Sequence, residues 1–419
     1  MRVLIVSHSS ELIHPGGAES ASTAQAEVFR SQGHEVTHLA CIPELDTDFG
    51  FDENSNTHLI RSNTQDSSYL WGDHRTQLLW AERIKEFCPD VVHLHHYLHV
   101  GILLPALIKR ILPDCKVVLT LHEYLAICGQ SGQMLDKYAQ LCSESGIRKC
   151  SNCLNSSSSA VALNKSLIRL GFSYVDTFIS PSDFLLKRYV QWGIPAEKIR
   201  KIENFKRLTP SPDAIPAVRN GHHPLVMNFM SQHTPTKGLD VLLQAILDLQ
   251  VISPSTLKKV RFNIWGSGSE RWKNDFHAKI LSLRDEVKDY AFFKGSYSRE
   301  NLLAAYQGVS YTIVPSIWWE NAPMVIDESL SLGIPVIGSD IGGIAEMLTK
   351  SPNNLLFTAG DSISLARAIV RALEIQSFQV NYLPNDSRQA TYEQLLQIYL
   401  LEQKGSNSRA KENFRGERK

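Results

Sequence analysis

The stretch WWENAPMVIDESLSLGIPVIGSDIGG, residues 318–343, follows the apolar run YTIVPS and contains a second apolar run, PVIGSD, near its end. A buried strand, a turn, an amphipathic segment and another strand in this order are typical of a parallel α/β sheet. Glu320 then lies in the turn. If the helix begins near Ala322, Glu328 lies somewhat under two turns into it. Because ligands bind at the carboxyl ends of parallel strands, we expect Glu320 to face a cleft.

The two glutamates are suited to a ligand that carries many hydroxyl groups. An ionised carboxylate only accepts hydrogen bonds, so it pairs with sugar hydroxyls, and two separated carboxylates can hold the two ends of a long ligand. For Glu320 taken alone, a solvated loop residue is the alternative interpretation.

Short apolar runs recur along the chain in two series. The first is RVLIVS, EVTHLAC, DVVHLH, KVVLTLH and TFIS, and the second is LVMNFM, RFNIWG, AFFKG, YTIVPS and PVIGSD. Helical stretches separate them, which predicts two doubly wound α/β domains. We place the domains at residues 1–206 and 225–385, joined by a proline-containing linker at 207–224. A helix is predicted at 386–403 and a disordered tail at 404–419.

The composition argues against several classes of function. The 419 residues include 43 basic and 43 acidic side chains, so no overall charge favours nucleic acid, and no nucleic-acid partner is expected. The N-terminal MRVLIVS has an apolar core of only about five residues, too short for a signal peptide or a membrane span. Together with seven cysteines, an odd number, this predicts a cytoplasmic protein. The slightly basic tail allows weak peripheral contact with the inner face of a membrane.

Glycine-containing turns follow several predicted strands and precede helices. Gly16 and Gly17 lie in HPGGAES, Lys237 and Gly238 in SQHTPTKGLD, and Gly266 in WGSGSE, while IGSDIGG supplies a later glycine pair. Glycine allows the backbone to approach a ligand, and the helix N-terminus that follows offers N–H groups to an anion. The lysine adds a positive charge. An ordinary strand-to-helix turn is the alternative for each of them.

A histidine ends the fourth strand predicted for the first domain, in TLHEYLAIC, residues 120–128. His122 could hydrogen-bond a polar substrate or transfer a proton near neutral pH. A strand-end histidine bonded to a backbone carbonyl is the alternative. Four neighbouring histidines show no ligand spacing and are interpreted as structural: His93, His95, His96 and His99.

These motifs together resemble the family 4 glycosyltransferases. The resemblance extends from MRVLIVS to about Leu401 and is strongest at residues 318–348, where a Glu-x7-Glu pattern occurs in full. It implies the GT-B fold, in which two Rossmann-like doubly wound domains face each other across a cleft. The N-terminal domain would then lie on the acceptor side, and the C-terminal domain would bind a nucleotide sugar.

The resemblance also implies roles for residues of the donor side. Glu320 would hold the hydroxyls of the donor sugar, and Glu328 would bind the ribose of the nucleotide. The turn between them would supply backbone N–H groups to the sugar and the diphosphate; it consists of Asn321, Ala322, Pro323 and Met324.

Further roles concern the diphosphate and the acceptor side. Lys237, before Gly238, would neutralise the diphosphate as the leaving group forms, and the turn at Gly266 would help to bind the donor. His122 is expected near the donor sugar. Gly16 and Gly17 would form a phosphate loop on the acceptor side.

Two positions depart from the family pattern. The family often has Arg five positions before its lysine, where this chain has Gln232, so donor binding would depend more on Lys237 and on helix N-termini. The family histidine is often followed by Asp, where this chain has Glu123. The second change keeps the carboxylate.

The implied reaction is retaining transfer of a sugar from a UDP- or GDP-sugar to a glycan or lipid-linked acceptor in polysaccharide or glycoconjugate biosynthesis. In front-face displacement the diphosphate oxygen itself takes the acceptor proton. Motif spacing does not distinguish retention from inversion. The resemblance implies that catalysis requires no metal or other cofactor, and the one DxD match, residues 46–48, falls in a first-domain loop. A nucleotide-sugar epimerase and a sugar-nucleotide-binding protein without turnover remain alternatives.

Four cysteines cluster in an insertion at about residues 128–160. They are Cys128, Cys142, Cys150 and Cys153, and the last two form a CxxC. This spacing is compatible with a four-thiolate zinc site or an iron–sulfur centre. We predict a structural zinc that shapes the acceptor side, with four reduced thiols in a flexible loop as the alternative.

Overall fold

The structure is a computed structural model. It describes residues 1–11, 13, 16–43, 45–53, 55–62, 74–206, 224–272, 275–297, 301–375 and 386–401. Most of the predicted linker and the whole predicted tail therefore lie outside the described residues.

The N-terminal domain is built on one mixed sheet covered by helices. Its elements are β1 (Arg2–Ser7), α1 (Gly17–Ser31), β2 (Glu35–Ile42), β3 (Phe49–Asp52), β4 (Thr57–Arg61), α2 (His74–Phe87), β5 (Val91–Leu94), α3 (Leu104–Ile111), β6 (Lys116–Thr120), α4 (Ile147–Leu154), α5 (Ser158–Ser173), β7 (Thr177–Ser180), α6 (Asp183–Trp192) and β8 (Ile199–Lys201). The strand order is β3-β4-β2-β1-β5-β6-β7-β8, and only the β3–β4 pair is antiparallel. Central strands such as β5 and β6 are buried along their whole length, as their apolar sequences require.

The C-terminal domain has a second, fully parallel sheet. Its elements are β9 (Leu225–Met230), α7 (Leu239–Ile252), α8 (Pro254–Leu257), β10 (Val260–Trp265), α9 (Asp275–Glu286), β11 (Ala291–Gly295), α10 (Leu302–Tyr306), β12 (Tyr311–Val314), α11 (Met324–Ser331), β13 (Val336–Ser339), α12 (Gly342–Leu348), β14 (Leu355–Phe357) and α13 (Ser362–Glu374). The strand order is β11-β10-β9-β12-β13-β14. The predicted pair of doubly wound α/β domains is confirmed.

The last described helix, α14 (Asp386–Leu400), packs against the N-terminal domain although it follows the C-terminal domain in the chain. Its buried Tyr392, Leu395 and Tyr399 belong to one apolar cluster with Ile5 and Phe29. Burial of these side chains attaches the helix to the N-terminal sheet. Among the helices of the described ranges, none is both long and apolar enough to cross a membrane.

The sequence did not predict four strands: β3, β4, β8 and β14. They contain only three to five residues each, and β3, β8 and β14 lie at the edges of their sheets. Short edge strands carry little apolar periodicity, so they resemble loops in sequence. The strand before His122, counted fourth from sequence, is therefore β6.

A buried lysine holds the end of α14. The ammonium group of Lys116, on β6, donates hydrogen bonds to the carbonyls of Ile398 and Leu401, the latter at 2.9 Å. Carbonyls in the last turn of a helix have no partner within the helix, and a cation there also interacts favourably with the helix dipole.

Replacing Lys116 by Met should weaken the attachment of α14, because two carbonyls lose a charged donor. We expect the free energy of unfolding to fall by about 1–3 kcal/mol in urea denaturation. Lys187→Met removes the same charge from an exposed position of α6 and should change stability by less than about 0.5 kcal/mol. Equal effects of the two substitutions would show that the contact contributes nothing specific.

Candidate functional site

Glu320 lies in the turn after β12 and is almost fully buried, with 6% of its surface exposed. Its Oε1 accepts hydrogen bonds from Ser316 Oγ at 2.8 Å and Trp318 Nε1 at 2.9 Å. Lys237 Nζ lies 2.6 Å from the same oxygen. Three donors fix this carboxylate at the carboxyl end of the sheet. Glu320 and Lys237, which the sequence predicts to bind the same ligand, therefore lie in direct contact.

Glycines determine the path of this turn. The N–H of Gly343 donates to the Glu320 carbonyl at 2.8 Å, and a Cβ on Gly343 would lie 1.5 Å from the Asn321 carbonyl oxygen. Gly238 has a positive φ of 70°, and a Cβ there would lie 1.9 Å from the Pro315 carbonyl oxygen. Both positions therefore require glycine for backbone packing. Gly343, of the late glycine pair, thus packs against the backbone of the Glu320 turn. The sequence had suggested instead that this pair contacts an anion.

Glu328 lies in α11 and is 4% exposed. The helix begins at Met324, not near Ala322, so Glu328 is its fifth residue and lies just over one turn into it. Burial is the main cause that raises the pKa of Tyr306, and the charge of Glu328 adds to it, which places the carboxylate near this hydroxyl.

The N-terminal domain meets this turn through two backbone carbonyls and the Ser182 hydroxyl. Asn321 Nδ2 donates to the carbonyls of Leu121 and His122 at 3.4 and 3.3 Å. Its Oδ1 accepts from Ser182 Oγ at 2.5 Å. The Asn321 side chain thus connects the two domains, and only its backbone is left for the predicted contact with a donor.

The glycine loop of the N-terminal domain lies opposite the same turn. Gly17 begins α1, and a Cβ built on it would come 3.8 Å from Met324 Sδ. The neighbouring Gly16 is the N-cap of this helix. The predicted phosphate loop and the first helical residue of the predicted donor turn therefore face each other.

His122 follows β6 and is partly exposed. Burial lowers its pKa to about 3, so the imidazole is neutral at physiological pH. A neutral ring can hydrogen-bond a polar substrate, and the role predicted for His122 stays a prediction. Glu123 points elsewhere: its carboxylate accepts from the Leu125 N–H and lies 3.2 Å from His96 Nε2.

The other predicted donor residues lie at neighbouring strand ends. Gln232 is exposed after β9. Gly266 follows β10 with a φ of 118°, and a Cβ there would lie 1.8 Å from the Ser231 carbonyl oxygen. Ala322 and Pro323 are partly exposed just before the start of α11.

Three contributors were missed from sequence. Ser316 and Trp318 donate to Glu320, and both lie within four residues of it, so their position beside a strand-end carboxylate was the available signal. Glu346, on α12, was also missed. It accepts hydrogen bonds from the backbone N–H groups of Asp183 and Phe184, at 3.0 and 2.9 Å, across the domain boundary.

The cysteine cluster contains free thiols that are each partly exposed. Burial raises the pKa of Cys128, backbone hydrogen bonds oppose this change, and the nearness of Cys142 and Cys150 adds to it. Within the described ranges, however, no three His, Cys, Asp or Glu side chains are arranged to hold a metal ion. The thiols as placed do not form a metal site, and the structural zinc stays a prediction.

Two doubly wound domains with a polar site between the ends of their sheets define the GT-B class. Residues 15–205 match the family described as Glycosyltransferase Family 4, and residues 224–374 match Glycosyl transferases group 1. The chain therefore belongs to the group 1 glycosyltransferases of family 4 type, as the resemblance implied.

Named relatives match only part of the chain. A D-inositol 3-phosphate glycosyltransferase from Stackebrandtia nassauensis is 27% identical over 35% of this chain and 33% of its own length. A phosphatidyl-myo-inositol mannosyltransferase from Mycobacterium leprae is 26% identical over 36% and 37%, respectively. A lipopolysaccharide 1,2-N-acetylglucosaminetransferase from Salmonella typhimurium is 26% identical over 41% and 45%. The matched stretches span less than half the length of these relatives.

Solved structures match over nearly the whole chain. Sucrose-phosphate synthase from Thermosynechococcus elongatus has a TM-score of 0.68 at 16% identity, covering 95% of this chain and 98% of that one. HepE from Anabaena, in complex with UDP-glucose, has a TM-score of 0.62 at 18% identity, covering 95% and 100%. At these identities the likeness establishes the fold.

The Glu346 contact should make stability depend on pH. Burial opposes ionisation of Glu346, but the N–H groups of Asp183 and Phe184 and the Lys201 ammonium outweigh it and lower its pKa below the ordinary 4.5. A lowered folded pKa means that the contact stabilises the protein above about pH 4.5 and that this contribution is lost as the pH falls through the folded pKa.

We therefore expect wild type to lose more stability than Glu346→Gln when urea unfolding is compared between neutral and acidic pH. Glu286→Gln, at the exposed end of α9, should keep the wild-type dependence. If Glu346→Gln retains the full dependence, the contact is not its source.

The predicted zinc is tested by metal analysis of purified protein. The prediction made from the sequence requires about one zinc per chain, lost when Cys150 and Cys153 are both replaced by Ser, because a structural site needs four ligands. Replacing Cys41 and Cys88 in the same way provides the control. Protein without stoichiometric zinc or iron would contradict the prediction.

Proposed function

We propose that this chain is a hexosyltransferase that moves a sugar from a nucleotide-sugar donor to a glycan or lipid-linked acceptor in glycoconjugate biosynthesis. The observation that carries the proposal is the ion pair between the buried Glu320 and the half-buried Lys237 in the cleft. A carboxylate that accepts from hydroxyls and an ammonium that neutralises phosphate, side by side, match the two chemically different halves of a nucleotide sugar.

A bound nucleotide sugar could replace the ion pair between Glu320 and Lys237 with its own contacts to each of them. Glu320 Oε1 is held by three donors, and the half-buried Lys237 can interact with an incoming diphosphate without first being desolvated in full. As the bond to the leaving group breaks, negative charge grows on the diphosphate, and a fixed ammonium stabilises that charge more than the ground state.

A UDP- or GDP-sugar is the proposed donor. The matching HepE structures are complexes with UDP and with UDP-glucose, which supports a nucleotide-sugar donor here. Named relatives act on phosphatidyl-myo-inositol and lipopolysaccharide, which supports a glycan or lipid-linked acceptor. Peripheral membrane contact through the basic tail is part of the proposal, although the tail lies outside the described residues.

Retention of configuration by front-face displacement is the proposed stereochemical course. The diphosphate oxygen would take the acceptor proton, a role for which His122 is unsuited because burial lowers its pKa to about 3. The exposed Gln232 can donate a hydrogen bond but no charge, so Lys237 would carry most of the neutralisation. We propose that these steps require no metal.

Glu320→Ala should reduce transfer by about 10²–10³-fold, because the sugar loses its buried acceptor and Lys237 loses its partner. A panel of nucleotide sugars is first screened by thermal shift, and transfer with the stabilising donor is then followed by NMR, which also gives the anomeric configuration of the product.

Glu286→Ala, on the exposed end of α9, is the matched control and should retain activity. Stabilisation without any turnover in wild type would support a sugar-nucleotide-binding protein, and an epimer formed without acceptor would support an epimerase. Undiminished transfer by Glu320→Ala would overturn the proposed site.

A further inference from the structure

A continuous row of buried side chains leads from α14 to His122. Gln25 Nε2 lies 2.7 Å from the Tyr399 hydroxyl and 2.9 Å from His93 Nδ1. Gln25 Oε1 lies 3.0 Å from His95 Nε2, and His95 Nδ1 lies 3.0 Å from His122 Nε2. Gln25 is 2% exposed, and His93 and His95 are at most 2% exposed. His122 is the partly exposed end of the row, beside the cleft.

The amide of Gln25 determines where the ring protons lie. An amide oxygen only accepts hydrogen bonds, so His95 Nε2 must carry the proton that Gln25 Oε1 receives. A neutral imidazole has a single N–H, so His95 Nδ1 is an acceptor and His122 Nε2 donates to it. His122 Nδ1 is then left with a lone pair.

The other end of the amide is consistent with this assignment. Gln25 Nε2 donates to His93 Nδ1, so the proton of His93 lies on Nε2, which is 2.7 Å from Thr120 Oγ1 and donates to it. The Tyr399 hydroxyl accepts from Gln25 Nε2, and its own proton shares the single lone pair of His93 Nδ1 with Gln25 Nε2 in a three-centre contact. Each buried polar atom in the row has a partner, as a low-dielectric interior requires.

The rings are also held in orientation and in charge state. The rings of His93 and His95 stack with centroids 4.8 Å apart, and those of His95 and His122 stack at 5.3 Å. Burial lowers the pKa of His93 to about 3 and that of His95 well below its ordinary value, so the rings stay neutral. Because the orientation and the charge of these rings are fixed, only the position of the ring proton can vary. The Gln25 amide selects that position.

We propose that Gln25 is a positioning residue that holds His122 in the tautomer with an unprotonated Nδ1, so that His122 accepts a hydrogen bond from a hydroxyl of the substrate. This inference rests on the proposed function for the identity of the substrate as a sugar. It narrows the site to ligands that present a hydrogen-bond donor to His122. Such a ligand binds more tightly because Nδ1 is already unprotonated and ready to accept its hydrogen bond.

The tautomer can be measured without any assay of activity. In protein labelled with 15N-histidine, the signals of His122 are assigned by their absence in His122→Gln, and the ring nitrogens are read through couplings to the carbon-bound protons. Wild type should show His122 with Nδ1 unprotonated and Nε2 protonated. A proton on Nδ1 would overturn the proposal, and this outcome requires no Gln25 variant to fold.

Gln25→Met removes both ends of the amide while keeping its length, so nothing selects the proton position on His95. We expect His122 to become a mixture of the two tautomers. Tyr399→Phe is the matched control: it removes the hydroxyl from the same row but keeps the contact of Gln25 Oε1 with His95, so His122 should keep its single tautomer. An unchanged His122 in Gln25→Met would contradict the proposal.

Kinetics separate this inference from the proposed function. With an active donor, Gln25→Met should raise the donor KM by about 2- to 10-fold, the value of one hydrogen bond, whereas Tyr399→Phe should not. If wild type shows the expected His122 tautomer but transfers no sugar, the proposed function fails while the positioning by Gln25 stands. If transfer occurs and the tautomer is the other one, only the positioning fails.

Discussion

The site depends on one backbone approach, the contact between α12 and the turn that follows β12. The N–H of Gly343 donates to the carbonyl of Glu320, and the missing side chain of Gly343 leaves room for the carbonyl of Asn321. The backbone of two successive residues is thus fixed from outside, and their side chains contact different groups. Glu320 turns towards Lys237, and Asn321 turns towards the N-terminal domain.

The same constraint explains why the buried charge of Glu320 is tolerated. A carboxylate with 6% exposure is costly unless donors surround it, and here a hydroxyl, an indole N–H and an ammonium all reach one oxygen. Such an arrangement orients the carboxylate before any ligand is present. A ligand then meets a prepared acceptor and spends little binding energy on ordering it.

The sequence predicted the parts of this site that depend on local pattern. Strand, turn and helix around Glu320 follow from the alternation of apolar runs and turn residues, and Lys237 and His122 were found because both lie just after strands. The start of α11 was placed two residues early, because Ala322 and Pro323 are compatible with a first helical turn although the chain is still extended at Pro323. Short edge strands such as β3 and β8 were missed for want of an apolar pattern.

Contacts between distant parts of the chain could not be predicted in this way. His93 and His95 were interpreted as structural because no spacing marks them, and they are indeed buried and neutral, yet their ring nitrogens connect Gln25 to His122. Gln25 lies on a helix face like many buried glutamines, and only the return of α14 brings the Tyr399 hydroxyl to it. Sequence pattern reports which face of an element is buried, whereas the identity of the partner depends on topology.

The return of α14 also changes how the two domains are coupled. The chain that leaves the C-terminal domain packs on the N-terminal sheet, where Lys116 holds its end and Tyr399 joins the buried row beside the cleft. Across the boundary, Asn321 and Glu346 of the C-terminal domain hold backbone groups at the ends of β6 and at the start of α6. A movement between the domains would therefore break polar contacts that lie next to His122, while the row that runs through Gln25 would move with the N-terminal domain as one unit. The orientation of Glu320 belongs to one domain and the tautomer of His122 to the other, and the hydrogen bonds of Asn321 across the domain boundary connect the two.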